Sequence, residues 1–207
     1  MIGLSLWLLV FGATPVPPPD LGLTQVVLDT AAAMRNISTL QVNMEQTKAL
    51  VSLAEKVQAK GTLCFARPRR LAMDLNGPGG TQLVIDGDLL TMTYKALKKT
   101  ETTNLTRDPR GRAIAEHLFL LLEAEPQQLT QIYGLTVVKE QPLRVELTPK
   151  SEALSRIIKR VEARFHNKGF VEHLVLEEQN GDSTVWEFSS PRLNQPLDPA
   201  TCPFTNL

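Results

Sequence analysis

The chain has 207 residues, 43% hydrophobic and 21% charged, close to ordinary globular proportions, which excludes disorder along its whole length and a polytopic membrane protein. Its 22 basic and 22 acidic residues give a formal net charge of zero, leaving no basic surplus to displace phosphate counterions from a nucleic acid or to draw the chain to an anionic membrane surface. Aromatic residues are scarce at 5%, so Leu, Val and Ile must supply most of the buried surface.

Residues 2–11 form an apolar run, too short to span about 30 Å of hydrocarbon as a helix but suited to the core of an export signal. Gly12 and Ala13 follow, then Pro15, Pro17, Pro18 and Pro19. The expected organisation is a cleaved signal over residues 1–13, a Pro-rich linker over 14–19 and a single domain over 20–207. No Lys or Arg precedes Trp7, which departs from the usual signal pattern. No Cys precedes Cys64 to receive a lipid, and no later stretch approaches about 18 apolar residues. The mature protein is therefore expected in the periplasm, without a lipid anchor of its own. In that oxidising compartment a disulfide between Cys64 and Cys202 is permitted, the alternative being two isolated thiols.

Residues 20–37 predict a helix, because Leu23, Val27, Thr30, Met34 and Ile37 recur on one face. From Leu40 to about Leu105 the period becomes two. Leu63 and Phe65 alternate with Thr62 and Cys64, and Leu71, Met73 and Leu75 with Arg70, Ala72 and Asp74. Leu83 and Ile85 run into Asp86-Gly87, a two-residue hairpin signal, after which Leu90, Met92 and Tyr94 alternate. Gly77-Pro78-Gly79-Gly80 is a further turn. Asp108-Pro109 opens a helix to about residue 125, and Pro126 begins a shorter one through Ile132. Strands are predicted over 135–138, 143–147, 157–165, 170–177 and 184–188, separated by Pro142, Pro149, Asn167-Lys168-Gly169 and Asn180-Gly181-Asp182.

The pattern implies a mainly β (α+β) fold: an antiparallel meander of about ten strands that curls strongly, with helices covering the concave side. The run from Leu118 to Leu122 is apolar all round. Either the helix is fully buried, or it touches the sheet on one side and an apolar ligand on the other.

The chain carries no constellation for chemistry. His117, His166 and His173 fall on a helix, a turn and a strand, none at metal-ligand spacing with another His, Asp or Glu. There is no nucleophile elbow, zinc-protease helix or phosphate loop. No catalytic, metal or cofactor site is expected, and the protein is read as not an enzyme. The informative polar residue is Arg67, which shares strand parity with Leu63 and Phe65. Pointed into an apolar concavity, its guanidinium needs carbonyl or carboxylate acceptors, which a helical lid would supply. Alternatively, Pro68 ends the strand and Arg67 turns out to water.

Several segments resemble the periplasmic outer-membrane lipoprotein carrier (LolA-like) family. Ser38-Thr39-Leu40-Gln41-Val42-Asn43-Met44-Glu45-Gln46 is similar to its S-F-x-A-x-F-x-Q segment, and Gly61-Thr62-Leu63-Cys64-Phe65-Ala66-Arg67-Pro68 to its G-x-L-x-x-x-R-P. The Leu83-to-Tyr94 hairpin, Leu147-Thr148-Pro149-Lys150 and the terminal Pro203-Phe204-Thr205 follow in the family's order. The resemblance implies an unclosed half-barrel of about ten to eleven antiparallel strands with a helical lid over a cavity for lipoprotein acyl chains. It also implies that Arg67 and Pro68 form the lid latch. Leu63, Phe65, Leu71, Met73, Leu75, Leu83, Ile85, Met92 and Tyr94, with Ile114, Leu118 and Leu121 of the helix, are the expected cavity lining. Family aromatics after Arg-Pro are replaced by Leu71 and Met73, and Met44 stands where the family has Phe.

The expected function is a monomeric periplasmic chaperone carrying lipoproteins from the inner to the outer membrane. Its expected partners are an inner-membrane ABC-type lipoprotein-releasing complex and an outer-membrane receptor or the membrane itself. The competing readings are a lipid-sensing envelope regulator and a ligand-free envelope structural protein on the same fold.

Overall fold

The switch from a helical period to a period of two at Leu40 sets the architecture. The structure, a computed structural model, describes residues 23–123 and 125–204; the signal and linker assigned to residues 1–19 lie outside the described residues. Helix α1 (Gln25–Arg35) is followed by β1 (Thr39–Ala49), β2 (Val57–Ala66), β3 (Arg70–Asn76), β4 (Thr81–Asp86), β5 (Leu89–Tyr94) and β6 (Lys99–Asn104). Helices α2 (Pro109–Glu123) and α3 (Pro126–Ile132) lead to β7 (Tyr133–Glu140) and β8 (Leu143–Pro149). A one-turn helix α4 (Glu152–Ser155) precedes β9 (Ile158–Phe165), β10 (Val171–Glu178) and β11 (Ser183–Leu193).

All 11 strands form one antiparallel sheet in the order β6-β5-β4-β3-β2-β1-β11-β10-β9-β8-β7. Two meanders are thus joined where β1 pairs with β11, and the sheet ends at β6 and β7 without closing on itself. The α2–α3 connection carries the chain between those two edges. The outermost strand β6, Lys99-Thr-Glu-Thr-Thr-Asn104, is almost wholly polar and exposed, which suits an unpaired edge.

Differences from the sequence expectations are local. The described part of α1 begins at Gln25, with Thr24 still extended. The tight hairpin turn is Gly87-Asp88, not Asp86-Gly87: Asp86 pairs with Leu89 and its carboxylate holds Arg70 at 3.0 Å, so it stays in the ladder. Gly87 then takes the left-handed conformation at φ 60°. The turn α4 was not expected; the Ser151 hydroxyl accepts from the Leu154 N–H and caps it. Gly61 is fixed by a close approach, since a Cβ there would lie 1.7 Å from the carbonyl oxygen of Asp74 on β3.

The inner face of the sheet carries two apolar clusters. One centres on Phe65, Leu71 and Ile85 of the first meander with Met34, Ala115 and Phe119 from the helices. The other gathers Val145, Leu147, Val161 and Ala163 of the second meander with Val27, Leu120, Leu129 and Tyr133. Each fully buried Leu, Ile or Phe contributes roughly 1.5–3 kcal/mol.

A third, smaller cluster lies on the convex face. Cys64, opposite in parity to Leu63 and Phe65, packs there with Ala66, Ala72, Leu197, Cys202 and Phe204. Cys64 and Cys202 are joined in a disulfide across 138 residues of chain, Cα to Cα 5.7 Å. It ties the tail after β11 to the back of β2. Closing so long a loop is worth about 4–5 kcal/mol in the chain-entropy model. Reducing the bond, or replacing Cys202 by Ser, is therefore expected to lower the melting temperature by roughly 10 °C; calorimetry with and without reductant measures this, and an unchanged transition would show that the tail adds no stability.

Candidate functional site

Helix α2 lies over the concave face and has two apolar neighbours, one from each meander. Ala115 and Phe119 enter the first cluster with Leu118 and Leu122, at spacings of three and four, and Phe119 stacks at a tilt on Phe65 with centroids 6.4 Å apart. Leu120 and Leu121 belong to the second cluster. The all-round apolar run from Leu118 to Leu122 is thus divided between the two halves of the sheet.

Between the helix and the seam of the meanders lies a cavity of about 180 Å³. Met44, Leu63 and Met73 line it from the first meander and Leu118, Leu121 and Leu122 from the lid. From the second meander come Val161, Leu174, Leu176, Trp186 and Phe188, with Ile158 at the start of β9. For scale, an apolar void of about 150 Å³ stays dry and takes a benzene-sized molecule. With the helix in this position, the space admits part of one hydrocarbon chain and no more.

The structure divides the expected lining residues between cavity, core and surface. Leu63, Met73, Leu118 and Leu121 line the cavity. Phe65, Leu71, Leu75, Leu83 and Ile85 point inward but are buried in the core, with Met92 packed against it, while Tyr94 is only half-buried and outside the clusters. Glu at Ile85, which is 0% exposed, would test folding rather than ligand binding. Ile114 is 56% exposed and covers nothing, because it precedes Ala115 by one residue and so points about 100° away from the buried stripe. The second-meander lining was not singled out in the sequence, although Leu174 and Leu176, and Trp186 and Phe188, alternate there.

At the sheet rim nearest the end of α2, Arg67 joins three elements. Its Nη1 donates to Oε1 of Glu123 at 2.8 Å, its Nε to the carbonyl oxygen of Ile37 at 3.1 Å, and its guanidinium lies 5.6 Å from the Phe65 ring centroid. Both ion-pair side chains are largely sheltered, 31% and 24% exposed. Glu123 stands in the last turn of α2, where the helix dipole disfavours a carboxylate and no basic residue offsets it. Arg67 supplies that missing positive charge from the sheet. A second pair, Arg35 to Glu125 at 2.9 Å, fastens α1 to the start of α3. Arg69 stacks over Phe119, its guanidinium carbon 5.7 Å from the ring centroid.

One further polar contact carries no spacing signature in the sequence. Nε2 of His117, beside the cavity, lies 2.7 Å from the hydroxyl of the fully buried Tyr133, which joins α2 to the first residue of β7. Burial pulls the His117 pKa below 6.5 and pushes the Tyr133 hydroxyl up to about 12.

The profile of the family described as "Outer membrane lipoprotein carrier protein LolA" matches residues 35–205. The chain belongs to that family. A comparison with curated proteins gives no match. Among solved structures, it is similar to MucB, with a TM-score of 0.51 at 13% identity over 84% of this chain and 60% of that one. It is also similar to a LolA superfamily protein from Nitrosomonas europaea, TM-score 0.42 and 11% identity over 85% of this chain and 95% of that one. A third similar structure is the lipoprotein LppX of Mycobacterium tuberculosis, TM-score 0.42 and 11% identity over 84% and 95%.

The lowered His117 pKa has a definite pH signature. Unfolded histidine binds a proton more readily than His117, so the stability is complete above pH 6.5 and is lost as pH falls from there towards the folded value. Urea unfolding should therefore show a falling midpoint on acidification that is shallower in His117→Leu; identical pH profiles would exclude His117 as the titrating group.

Proposed function

We propose that the protein is a periplasmic carrier of lipoproteins, sheltering their acyl chains in the cavity under α2 while they pass from the inner to the outer membrane. The observation that carries this reading is a cavity walled by aliphatic and aromatic side chains, under a helix held at its end by the Arg67–Glu123 pair. Membership of the lipoprotein carrier family supports it. An inner-membrane ABC-type lipoprotein-releasing complex would hand over the cargo, and an outer-membrane receptor or the membrane itself would take it. The cavity role of Leu63, Met73, Leu118 and Leu121, and the latch role of Arg67 and Pro68, are parts of this proposal.

The mechanism is transport without bond chemistry. Each buried CH₂ contributes roughly 0.8 kcal/mol, and such contacts are non-directional, so aliphatic walls with Met44 and Met73 accept chains of varied length. Gross affinity of that size would make release too slow. Opening the lid offsets part of it: a charge-assisted hydrogen bond contributes about 1.5–3 kcal/mol, and the apolar contacts of α2 with the sheet must separate as well. The carrier binds cargo only by the difference between these terms, which keeps it reversible.

Leu174→Glu places a charge in the cavity wall and is expected to abolish binding of a purified triacylated lipoprotein, while Thr62→Glu on the convex face binds as wild type. Co-elution on gel filtration measures both, and binding by the Leu174 variant equal to wild type would remove the cavity from the account. Arg67→Leu should fold normally and alter transfer: cargo is captured, but onward delivery to acceptor membranes slows several-fold. Mass spectrometry of molecules co-purifying with the protein from the periplasm should identify acylated lipoproteins.

A further inference from the structure

The turn that joins β2 to β3 carries a second arginine, and its surroundings differ from those of Arg67. Arg67 finds two acceptors, the Glu123 carboxylate and the Ile37 carbonyl. Arg69 makes no ion pair with any described residue, and its Nε is buried without a hydrogen-bond partner. Its guanidinium rests instead over Phe119 of α2, 5.7 Å from the ring centroid. A ring face attracts a cation, but a buried N–H left without an acceptor costs free energy that exposure to water would recover.

Arg69 also lines a groove on the side of α2 turned away from the cavity. Glu116, Leu120 and Glu123 of α2 and Gln128 and Gln131 of α3 form its other walls. On a helix of 3.6 residues per turn, Glu116, Leu120 and Glu123 share one face, while Leu118, Leu121 and Leu122 of the cavity wall project on the other. Glu123 is therefore within the surroundings of both arginines. Its Oε1 takes the Arg67 bond, and among the described residues its Oε2 accepts none. Lifting α2 off the cavity moves the helix towards its groove face, which stretches the Arg67 bond and leaves Glu123 beside Arg69. Glu116, the other acid of the groove, is exposed and lies two turns earlier on the helix. Glu123 stands in the last turn of α2, where no basic residue of the helix offsets the dipole, so it needs a cation in the open position as well as in the closed one.

We propose that Arg69 is the second seat of a two-position latch: as α2 lifts, Glu123 passes from Arg67 to Arg69, and the open lid is held by an ion pair of its own. The exchange also brings the unpaired Nε of Arg69 out of its buried place. A lid with a cationic partner for Glu123 in each position has two defined states rather than one closed state and one loose one. Arg69 is thus a positioning residue that favours opening, where Arg67, two residues earlier, favours closure. This rests on the reading of α2 as a lid and not on the identity of the cargo.

Thiol accessibility tests it on the intact mature protein, without cargo and with the native disulfide in place. Met44 lies in the cavity wall and is 1% exposed, so in Met44→Cys a thiol reagent reacts only while the lid is open. The rate of modification then follows the opening equilibrium. In that background Arg69→Met, which keeps an unbranched stem against Phe119, should slow modification roughly fivefold, the size of a partly exposed ion pair. Arg67→Leu should speed it. Combined with Glu123→Gln, the Arg69 substitution should lose most of its effect, because the carboxylate it acts through is gone. Urea unfolding of each variant separates lid opening from global unfolding. Unchanged modification in Arg69→Met would overturn the proposal, and so would faster modification, which would mark Arg69 as a clamp on the closed lid through Phe119. Equal slowing with and without the Glu123 carboxylate would overturn it too. A Met44→Cys thiol modified no faster than global unfolding allows would refute the lid and this proposal together, whereas a thiol modified readily but insensitive to Arg69 refutes the proposal alone.

Discussion

An eleven-stranded curved sheet that stops short of closing leaves its concave apolar face uncovered, and the remaining structure answers that constraint. In a closed barrel the inward side chains would meet one another and fill the interior. Here β6 and β7 end apart, and the chain must travel between them. The segment that makes the journey is α2 and α3, so the connection doubles as the cover. That is why the Leu118–Leu122 run of α2 is apolar around its circumference: it faces one meander through Phe119 and the other through Leu120. A straight helix on a concave surface cannot meet it everywhere, and the cavity is the gap left over the β1–β11 seam.

A cover of this kind is held by few specific contacts. Among the described residues α2 makes no backbone hydrogen bond to the sheet and is joined to it by side chains, while the Ile132 carbonyl at the end of α3 accepts from the Lys150 N–H after β8 at 2.9 Å. Apolar contacts such as Phe65–Phe119 give bulk attraction, while Arg67–Glu123, Arg35–Glu125 and Tyr133–His117 fix position. The ion pair between helix and sheet, Arg67–Glu123, is placed at one rim, at the end of α2. The disulfide acts on the opposite face: it stiffens β2 from behind, three residues before Arg67.

The strands were legible because a half-buried strand writes its period directly into the sequence, and the parity of Cys64 against Leu63 and Phe65 gave the face on which the tail is tied. Phase along the helix was harder: Ile114 is one residue out of step with Ala115, and both positions look apolar. The division between core and cavity was not legible, because Ile85 and Met73 present the same inward pattern while only one meets a gap. That gap depends on where α2 comes to rest, a matter of packing between distant segments. His117 and Tyr133 carry no spacing signature, since their contact arises from the crossover between α2 and β7.

The central claim is that α2 is a cover that must swing away from the sheet to admit cargo, since the cavity beneath it is too small for more than part of one chain. The direct measurement is the distance between spin labels placed on exposed Glu116 of α2 and exposed Lys60 of β2, by electron double resonance, with and without a triacylated lipoprotein. The account predicts one short distance in the free protein and a longer, broader distribution when cargo is bound. A single unchanged distance in the cargo-bound protein would contradict it.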